Sequence, residues 1–158
     1  MKKIAIFADV QNIYYTTRQA YGKQFNYRKL WQTISAQGDI VCAYAYAIDR
    51  GDNQQQKFQE MLKHVGFDVK LKPFIQRSDG TAKGDWDVGI TIDVMEEASN
   101  VDTIILLTGD GDFAILLDKV KLRYNVTTEV YGVPLLTAKA LIDACTIFHT
   151  IEKNLLLS

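Results

Sequence analysis

The sequence contains few of the residues that interrupt a fold or build covalent sites. Only two prolines and two cysteines occur among its 158 residues. With so little proline, and with no repeat or low-complexity tract, we expect one domain over residues 1–158. Cys42 and Cys145 lie in apolar stretches without the spacing of a metal site, so we expect two buried, reduced thiols in a cytoplasmic protein.

Long hydrophobic runs and a strong net charge are also missing. No stretch is long enough to cross a bilayer, and the apolar run from Ile4 to Ala8 is too short for a secretion signal. A formal net charge of -1 gives no general preference for a polyanion. The stretch 70–83 is locally basic, however, and could either follow a phosphate backbone or form a solvated strand edge.

The composition, 47% hydrophobic, is typical of a folded globular protein. Along the chain, apolar residues alternate between the spacing of strands and the spacing of helices. Strands are predicted at 4–8, 40–48, 67–74, 103–107, 127–131 and 146–151. Helices are predicted at 27–34, 58–65, 86–99, 113–122 and 134–144. This alternation indicates an α/β fold with a central, mostly parallel sheet that is flanked by helices on both faces.

Acidic residues follow the two most apolar strands, which we expect at the centre of the sheet. Asp9 ends the first strand, and Asp110 and Asp112 follow the strand 103–107. Ligands of such sheets bind beyond the carboxyl ends of the strands. Turn shaping or helix capping would explain one such Asp alone. Three at two neighbouring strand ends favour a functional site.

Gly109 and Gly111 flank these aspartates and should let the backbone turn sharply enough to bring them to one point. Carboxylates that converge on one point repel each other unless a cation neutralises them. A set of oxygen ligands favours a hard ion such as Mg²⁺ or Mn²⁺ over zinc.

A further acidic cluster contains Asp85, Asp87 and Asp93. Asp85 or Asp87 could simply cap the predicted helix. Along a helix, Asp87 and Asp93 would point about 120° apart and lie roughly 9 Å apart, so they should not share one ion. Asp87 is therefore the better ligand candidate, and Asp93 is expected to have a supporting or structural role.

Three segments together resemble the NYN domain, and more narrowly its LabA-like bacterial branch. They are Asp9-Val10-Gln11-Asn12, Lys83-Gly84-Asp85-Trp86-Asp87-Val88 and Thr108-Gly109-Asp110-Gly111-Asp112-Phe113. The resemblance covers nearly the whole chain and implies a PIN-like fold and metal-dependent ribonuclease activity. It also implies catalytic and metal-binding roles for Asp9, Asp87, Asp110 and Asp112, with Asn12 assisting and Lys83 near the phosphate. Thr108 stands where Ser is commoner in the family, and keeps the hydroxyl.

These features together predict hydrolysis of RNA phosphodiester bonds with bound Mg²⁺ or Mn²⁺. Asn12, Arg77 and Lys83 are the predicted contacts to the nucleic acid, and Asp85, Asp93 and Thr108 are predicted to support the ligands. Two alternatives stay open: a module that binds RNA without cutting it, with Trp86 or Phe74 as stacking platforms, and an interaction protein with a vestigial metal site. We expect packing roles for four tyrosines: Tyr14, Tyr15, Tyr44 and Tyr46. We expect His64 and His149 to be ordinary surface or packed residues.

Overall fold

The computed structural model describes residues 1–73, 75–76, 82–83 and 85–158, with positions 73, 75, 76, 82 and 83 described at the backbone. The strands are β1 (Lys3–Asp9), β2 (Asp39–Asp49), β3 (Asp68–Pro73), β4 (Ile75–Gln76), β5 (Ala82–Lys83), β6 (Thr103–Leu107), β7 (Thr127–Gly132) and β8 (Ile147–Thr150). The α-helices are α1 (Val10–Tyr21), α2 (Tyr27–Ser35), α3 (Asn53–Val65), α4 (Asp87–Glu97), α5 (Ala114–Tyr124) and α6 (Lys139–Ala144). Short 3-10 turns lie at Ala98–Asn100, Gly111–Phe113, Pro134–Leu136 and Lys153–Leu155.

Six strands form one sheet in the order β3-β2-β1-β6-β7-β8, and each neighbouring pair is parallel. Strands β4 and β5 form a separate antiparallel pair. The expected α/β fold with a central parallel sheet is confirmed, and β1 and β6 are its two middle strands. The sequence could indicate this position because only central strands of a doubly covered sheet are apolar on both faces.

The sheet separates two hydrophobic cores, one on each face. Ile4, Ile6 and Ala8 of β1 pack in the core that α1, α2 and α3 cover. The alternate residues Ala5 and Phe7 pack in the core that α4, α5 and α6 cover. The helices therefore flank both faces as expected. Within the described ranges, no helix has the length and apolar character that crossing a membrane requires.

Helix α1 was not predicted from the sequence. Its buried side chains are Val10, Ile13 and Thr17. The buried Thr17 hydroxyl donates a hydrogen bond to the Ile13 carbonyl at 2.8 Å. The β-branched and aromatic residues of this segment have low helix propensity, and Thr17 does not register as apolar, so the helical spacing is hidden. The helix ends at Gly22, whose φ of 65° lies in the left-handed region that glycine adopts readily.

The prediction of one helix over 134–144 was wrong, because the segment divides. Pro134–Leu136 forms a 3-10 turn, Thr137 and Ala138 are extended, and α6 begins only at Lys139. The Ala138 N–H donates to the Gly109 carbonyl at 3.0 Å, and the Thr137 hydroxyl donates to the Val133 carbonyl at 2.7 Å. The bond to Gly109 in the turn after β6 and the local bond to Val133 replace the bonds of a continuous helix.

The same contact explains the two glycines of that turn, in a way that differs from the expectation. Neither Gly109 nor Gly111 has a φ in the left-handed region. A Cβ on Gly109 would instead lie 2.5 Å from the Leu136 carbonyl oxygen, and one on Gly111 would lie 2.8 Å from the Ala138 Cβ. The glycines are required for close approach of a second chain segment rather than for a sharp turn.

We predict that Gly111→Ala destabilises the fold by about 1–3 kcal/mol, because two methyl groups would then overlap. Adding Ala138→Gly should recover part of that loss, since it removes the partner of the clash. Chemical denaturation of the wild type, both single variants and the double variant gives the coupling free energy. Additive effects of the two changes would contradict the proposed contact.

Candidate metal centre

The sheet order brings the acidic residues to one edge. Strands β1 and β6 run parallel in register from the Ile4–Thr103 pair to the Ala8–Leu107 pair. Their carboxyl ends therefore coincide, and Asp9 lies beside the turn that starts at Thr108. From β1 the chain proceeds to β2 on one side, whereas β6 lies on the other. The edge is thus the topological switch point, where ligands of α/β sheets bind.

Three carboxylates converge at this edge. Asp87, Asp110 and Asp112 each offer one oxygen atom, and these oxygens all lie within 4.8 Å of one another. Asp87 is the first residue of α4, and Asp112 lies in the 3-10 turn that Asp110 precedes. Asp87 and Asp110 are half-buried, whereas Asp112 is exposed. Such a group of oxygens fits a hard divalent cation.

Asp9 lies beside this group and is almost fully buried, with 9% of its surface exposed. It does not belong to the set of oxygens within 4.8 Å. The Thr108 hydroxyl donates to its carboxylate at 3.0 Å. Burial raises the pKa of Asp9 from 3.8 to about 6, against the opposing effect of the Thr108 hydrogen bond, and Asp110 contributes repulsion.

Asp87 shows the same electrostatic conflict. Burial raises its pKa from 3.8 to about 7, and the neighbouring Asp110 adds to the rise through repulsion and a hydrogen bond. Asp85 and Asp9 contribute further repulsion. The carboxylates at this edge thus raise one another's pKa values. A divalent cation would remove the conflict, so the residues present fit a metal ion.

Two polar side chains connect the acidic segments. The Asn12 side-chain carbonyl accepts from the Gly109 N–H at 2.8 Å. The Thr108 hydroxyl bonds Asp9 and accepts from the Asp110 N–H at 3.2 Å. Thr108 therefore lies between two acidic candidates, as its predicted supporting role requires. One oxygen of Asn12 already holds the turn, and its contact to nucleic acid stays a prediction.

The other acidic residues hold α4 in place. The Asp85 carboxylate accepts from the Asp87 N–H at 3.3 Å. Asp93 accepts from the Tyr46 hydroxyl at 2.8 Å and pairs with the Lys70 ammonium at 2.6 Å. Asp93 thereby ties α4 to β2 and β3. Both positions agree with supporting roles rather than with membership of the three-carboxylate group.

The predicted basic stretch is only partly described. Arg77 and Phe74 lie outside the described residues, and Lys83 is described only as backbone of β5. The ammonium of Lys70 is neutralised by Asp93. The Lys72 ammonium donates to the Asp85 carbonyl at 2.9 Å and lies 4.6 Å from the Trp86 ring centre.

The expected aromatic roles are partly reversed. The Trp86 indole N–H donates to the Ala47 carbonyl at 2.9 Å, and the ring packs so closely on α4 that a Cβ at Gly89 would lie 2.6 Å from it. Trp86 is thus a packing residue rather than an open platform. Tyr14 and Tyr15, in contrast, are 41% and 52% exposed on α1, so their expected packing role was wrong.

Tyr44 and Tyr46 pack against each other with ring centres 6.2 Å apart, as expected. The histidines also agree with the expectation: His64 is exposed on α3, and His149 stacks on Tyr131 with its Nε2 atom 2.6 Å from Glu129. Both cysteines are free thiols, but they are half-buried rather than buried.

A sheet of this order, covered by helices on both faces and carrying carboxylates at its switch point, defines a PIN-like domain. The sequence model of the NYN domain matches residues 3–152. The chain therefore belongs to the NYN domain family, a PIN-like nuclease family.

Two relatives are similar over most of their length. The Low amplitude and bright protein LabA of Synechococcus elongatus is 29% identical over 136 residues, which span 81% of this chain and 73% of that protein. The protein of unknown function VPA0982 from Vibrio parahaemolyticus is 51% identical in sequence to this chain. Its crystal structure superposes on the present structure with a TM-score of 0.94, over 99% of this chain and 96% of that one.

The burial of Asp9 gives a pH prediction for the metal-free protein. Because its folded-state pKa is raised, the folded protein keeps this proton to higher pH than the unfolded chain does. The related stability is present below about pH 4 and is lost as the pH rises through about 6. A rise of this size corresponds to at most about 3 kcal/mol. In chelator, the free energy of unfolding should fall over this range, and less steeply in Asp9→Asn.

Asp118→Asn is the matched control for this experiment, since Asp118 is exposed on α5. Its pH profile in denaturant titrations should follow that of the wild type. An Asp9→Asn profile with the wild-type slope would show that Asp9 does not titrate as a buried carboxyl.

Proposed function

We propose that this protein is a metal-dependent endoribonuclease that hydrolyses RNA. In this proposal, Asp87, Asp110 and Asp112 hold Mg²⁺ or Mn²⁺, and Asp9 serves as a fourth acidic ligand beside them. One observation carries the proposal: three carboxylate oxygens within 4.8 Å of one another at the switch point of a PIN-like sheet. Membership of the NYN family supports the nuclease class.

The chain's own residues would determine where such an ion lies. A bound divalent cation supplies a Lewis acid for the phosphate and lowers the pKa of a bound water molecule. Asp110 is fixed because it accepts from the Asp112 N–H at 2.9 Å, and Asp87 is fixed by its place at the start of α4. Thr108 orients Asp9. Asp9 and Asp110 are thus held in place by hydrogen bonds before any substrate arrives, and Asp87 by its position in α4.

The same charges explain why RNA binding should depend on metal. Clustered carboxylates repel a phosphodiester, and the net charge of -1 offers no general attraction. A divalent cation reverses the sign of the local field. Arg77 and Lys83 remain proposed as contacts to the flanking phosphates.

We predict that Mn²⁺ raises the melting temperature of the wild type in a saturable way, because the ion binds only the folded site. The gain is about 2.7 kcal/mol at a concentration of 100 times Kd. Asp110→Asn keeps an oxygen that can accept from the Asp112 N–H, yet removes one charge of the ligand set. It should melt at or above the wild-type temperature without metal and lose the Mn²⁺ response.

Asp118→Asn again controls for the loss of one negative charge and should keep the full Mn²⁺ response. Thermal melts in chelator and in increasing Mn²⁺ make the comparison. If Asp110→Asn responds to Mn²⁺ as the wild type does, Asp110 is not a ligand.

We predict metal-dependent cleavage of RNA, tested on unstructured RNA and DNA of one sequence with Mg²⁺, Mn²⁺ or chelator. Asp87→Asn and Asp9→Asn should each reduce the rate by at least roughly a hundredfold, more than the loss of a supporting hydrogen bond causes. Asp118→Asn should cut at the wild-type rate. Gel analysis of products from end-labelled strands distinguishes internal cuts from trimming at the ends.

The outcomes separate three functions. Cleavage that requires metal and Asp87 supports the nuclease. Tight RNA binding without cleavage in either metal would instead assign a binding module. Absence of both would favour an interaction protein that keeps the acidic residues without their chemistry.

A further inference from the structure

A cavity of about 640 Å³ begins at the residues that directly follow Asp9, and the proposed chemistry does not use it. It is bounded by α1, the start of α3 and the carboxyl end of β2. Val10 and Gln11, which directly follow Asp9 in the chain, form part of its wall. Ligand sites commonly have volumes of roughly 300–1,000 Å³, so a nucleoside would fit.

A glutamine side chain of α3 forms part of the cavity wall. Gln59 is only 8% exposed, and it lines the cavity. Within the described part of the chain, its amide is not among the buried polar atoms that lack a hydrogen-bond partner, so solvent in the cavity can reach it. A ligand with complementary donors and acceptors could take the place of that solvent.

The rest of the wall has the chemistry of base recognition. Five glutamines line the cavity, and each offers an amide donor and an acceptor: Gln11, Gln24, Gln54, Gln55 and Gln59. Tyr14 and Tyr15 also lie on the wall and keep exposed ring surface. Amides can bond the edge of a nucleobase, while aromatic rings can stack on its face.

Other ligand classes fit less well. A purely apolar ligand would leave the Gln59 amide unpaired. Charged side chains of both signs also line the cavity: Arg50, Lys57 and Asp52. Asp52 caps α3 by accepting from the Gln55 N–H at 2.7 Å, and its carboxylate would repel a phosphate held inside the cavity. The amides and tyrosines favour a planar, hydrogen-bonding group, and this description fits a nucleobase.

We infer that this cavity holds one nucleobase of a single-stranded RNA whose backbone lies at the aspartate cluster. The inference rests on the proposed ribonuclease function, which makes RNA the ligand. The cavity starts one residue after Asp9, so a base in it would belong to a nucleotide close to the proposed metal centre. Gln59 bonds the edge of the base, and Tyr15 contributes ring surface at the wall. The cavity thus determines which nucleotide lies next to the cut phosphate.

The test uses short single-stranded RNAs that carry 2-aminopurine at one position each, titrated into the protein with Ca²⁺ in place of Mg²⁺ to slow cleavage. The emission change should be confined to one position relative to the cut site. Gln59→Leu should weaken binding of that strand roughly fivefold or more and remove the change. Tyr15→Ala, at an exposed helix position, should reduce both the affinity for that strand and the emission change, without affecting folding.

Gln56→Leu is the matched control. Gln56 lies on the same helix but is exposed, and it lines a different depression that Gln59 also lines. Gln56→Leu should bind and report like the wild type. Equal losses in both variants would place any effect outside the cavity and overturn the inference. A parallel titration with adenosine and uridine monophosphate tests a free nucleotide as the occupant.

The results are separable from those on the nuclease. Cleavage by the wild type with unchanged affinity and emission in Gln59→Leu would overturn the base site and leave the nuclease standing. A localised, Gln59-dependent signal without cleavage would support the base site and remove the nuclease. A Gln59-dependent response to monophosphates, with RNA binding unaffected, would overturn the assignment to an RNA strand.

Discussion

Parallel pairing of β1 with β6 is the constraint on which the site depends. Both strands are buried on both faces, so hydrophobic burial fixes their place at the centre of the sheet. Their common register then brings Asp9 and the turn at Thr108 to the same edge. The hydrogen bonds from Thr108 to Asp9 and from the Gly109 N–H to Asn12 join the two strand ends directly. Apolar packing thus assembles charges that would otherwise stay apart.

Electrostatics opposes this assembly, which is why it points to function. The pKa values of Asp9 and Asp87 are raised mainly by burial and further by neighbouring carboxylates. Conflicts of this kind in an otherwise consistent fold are typical of functional sites. Asp93, a half-buried carboxylate of α4, has its partners in Tyr46 and Lys70. The contrast separates a structural acid, which is paired with a lysine, from acids that raise one another's pKa values.

Much of the fold and the acidic site could be predicted because strong patterns encode them. The most apolar strands identify the centre of the sheet, and the acidic residues at their carboxyl ends identify the edge where a ligand is expected. Helix α1 could not be recognised, because its buried face includes Thr17 and its exposed face includes tyrosines. The role of Gly111 depends on Ala138, which is distant in sequence and comes close only through the fold. The cavity at Gln59 was missed for the same reason: its walls come from α1, β2 and α3, and glutamine on a helix carries no sequence signal.

The central claim is that Asp87, Asp110 and Asp112 form one cation site. The most direct measurement is a crystal structure of the protein with Mn²⁺, with diffraction data collected near the manganese absorption edge. We expect an anomalous peak within about 2.0–2.6 Å of oxygen atoms from these three carboxylates, at the carboxyl ends of β1 and β6. A saturating Mn²⁺ concentration that leaves this position without a peak, or a peak held by other residues, would contradict it.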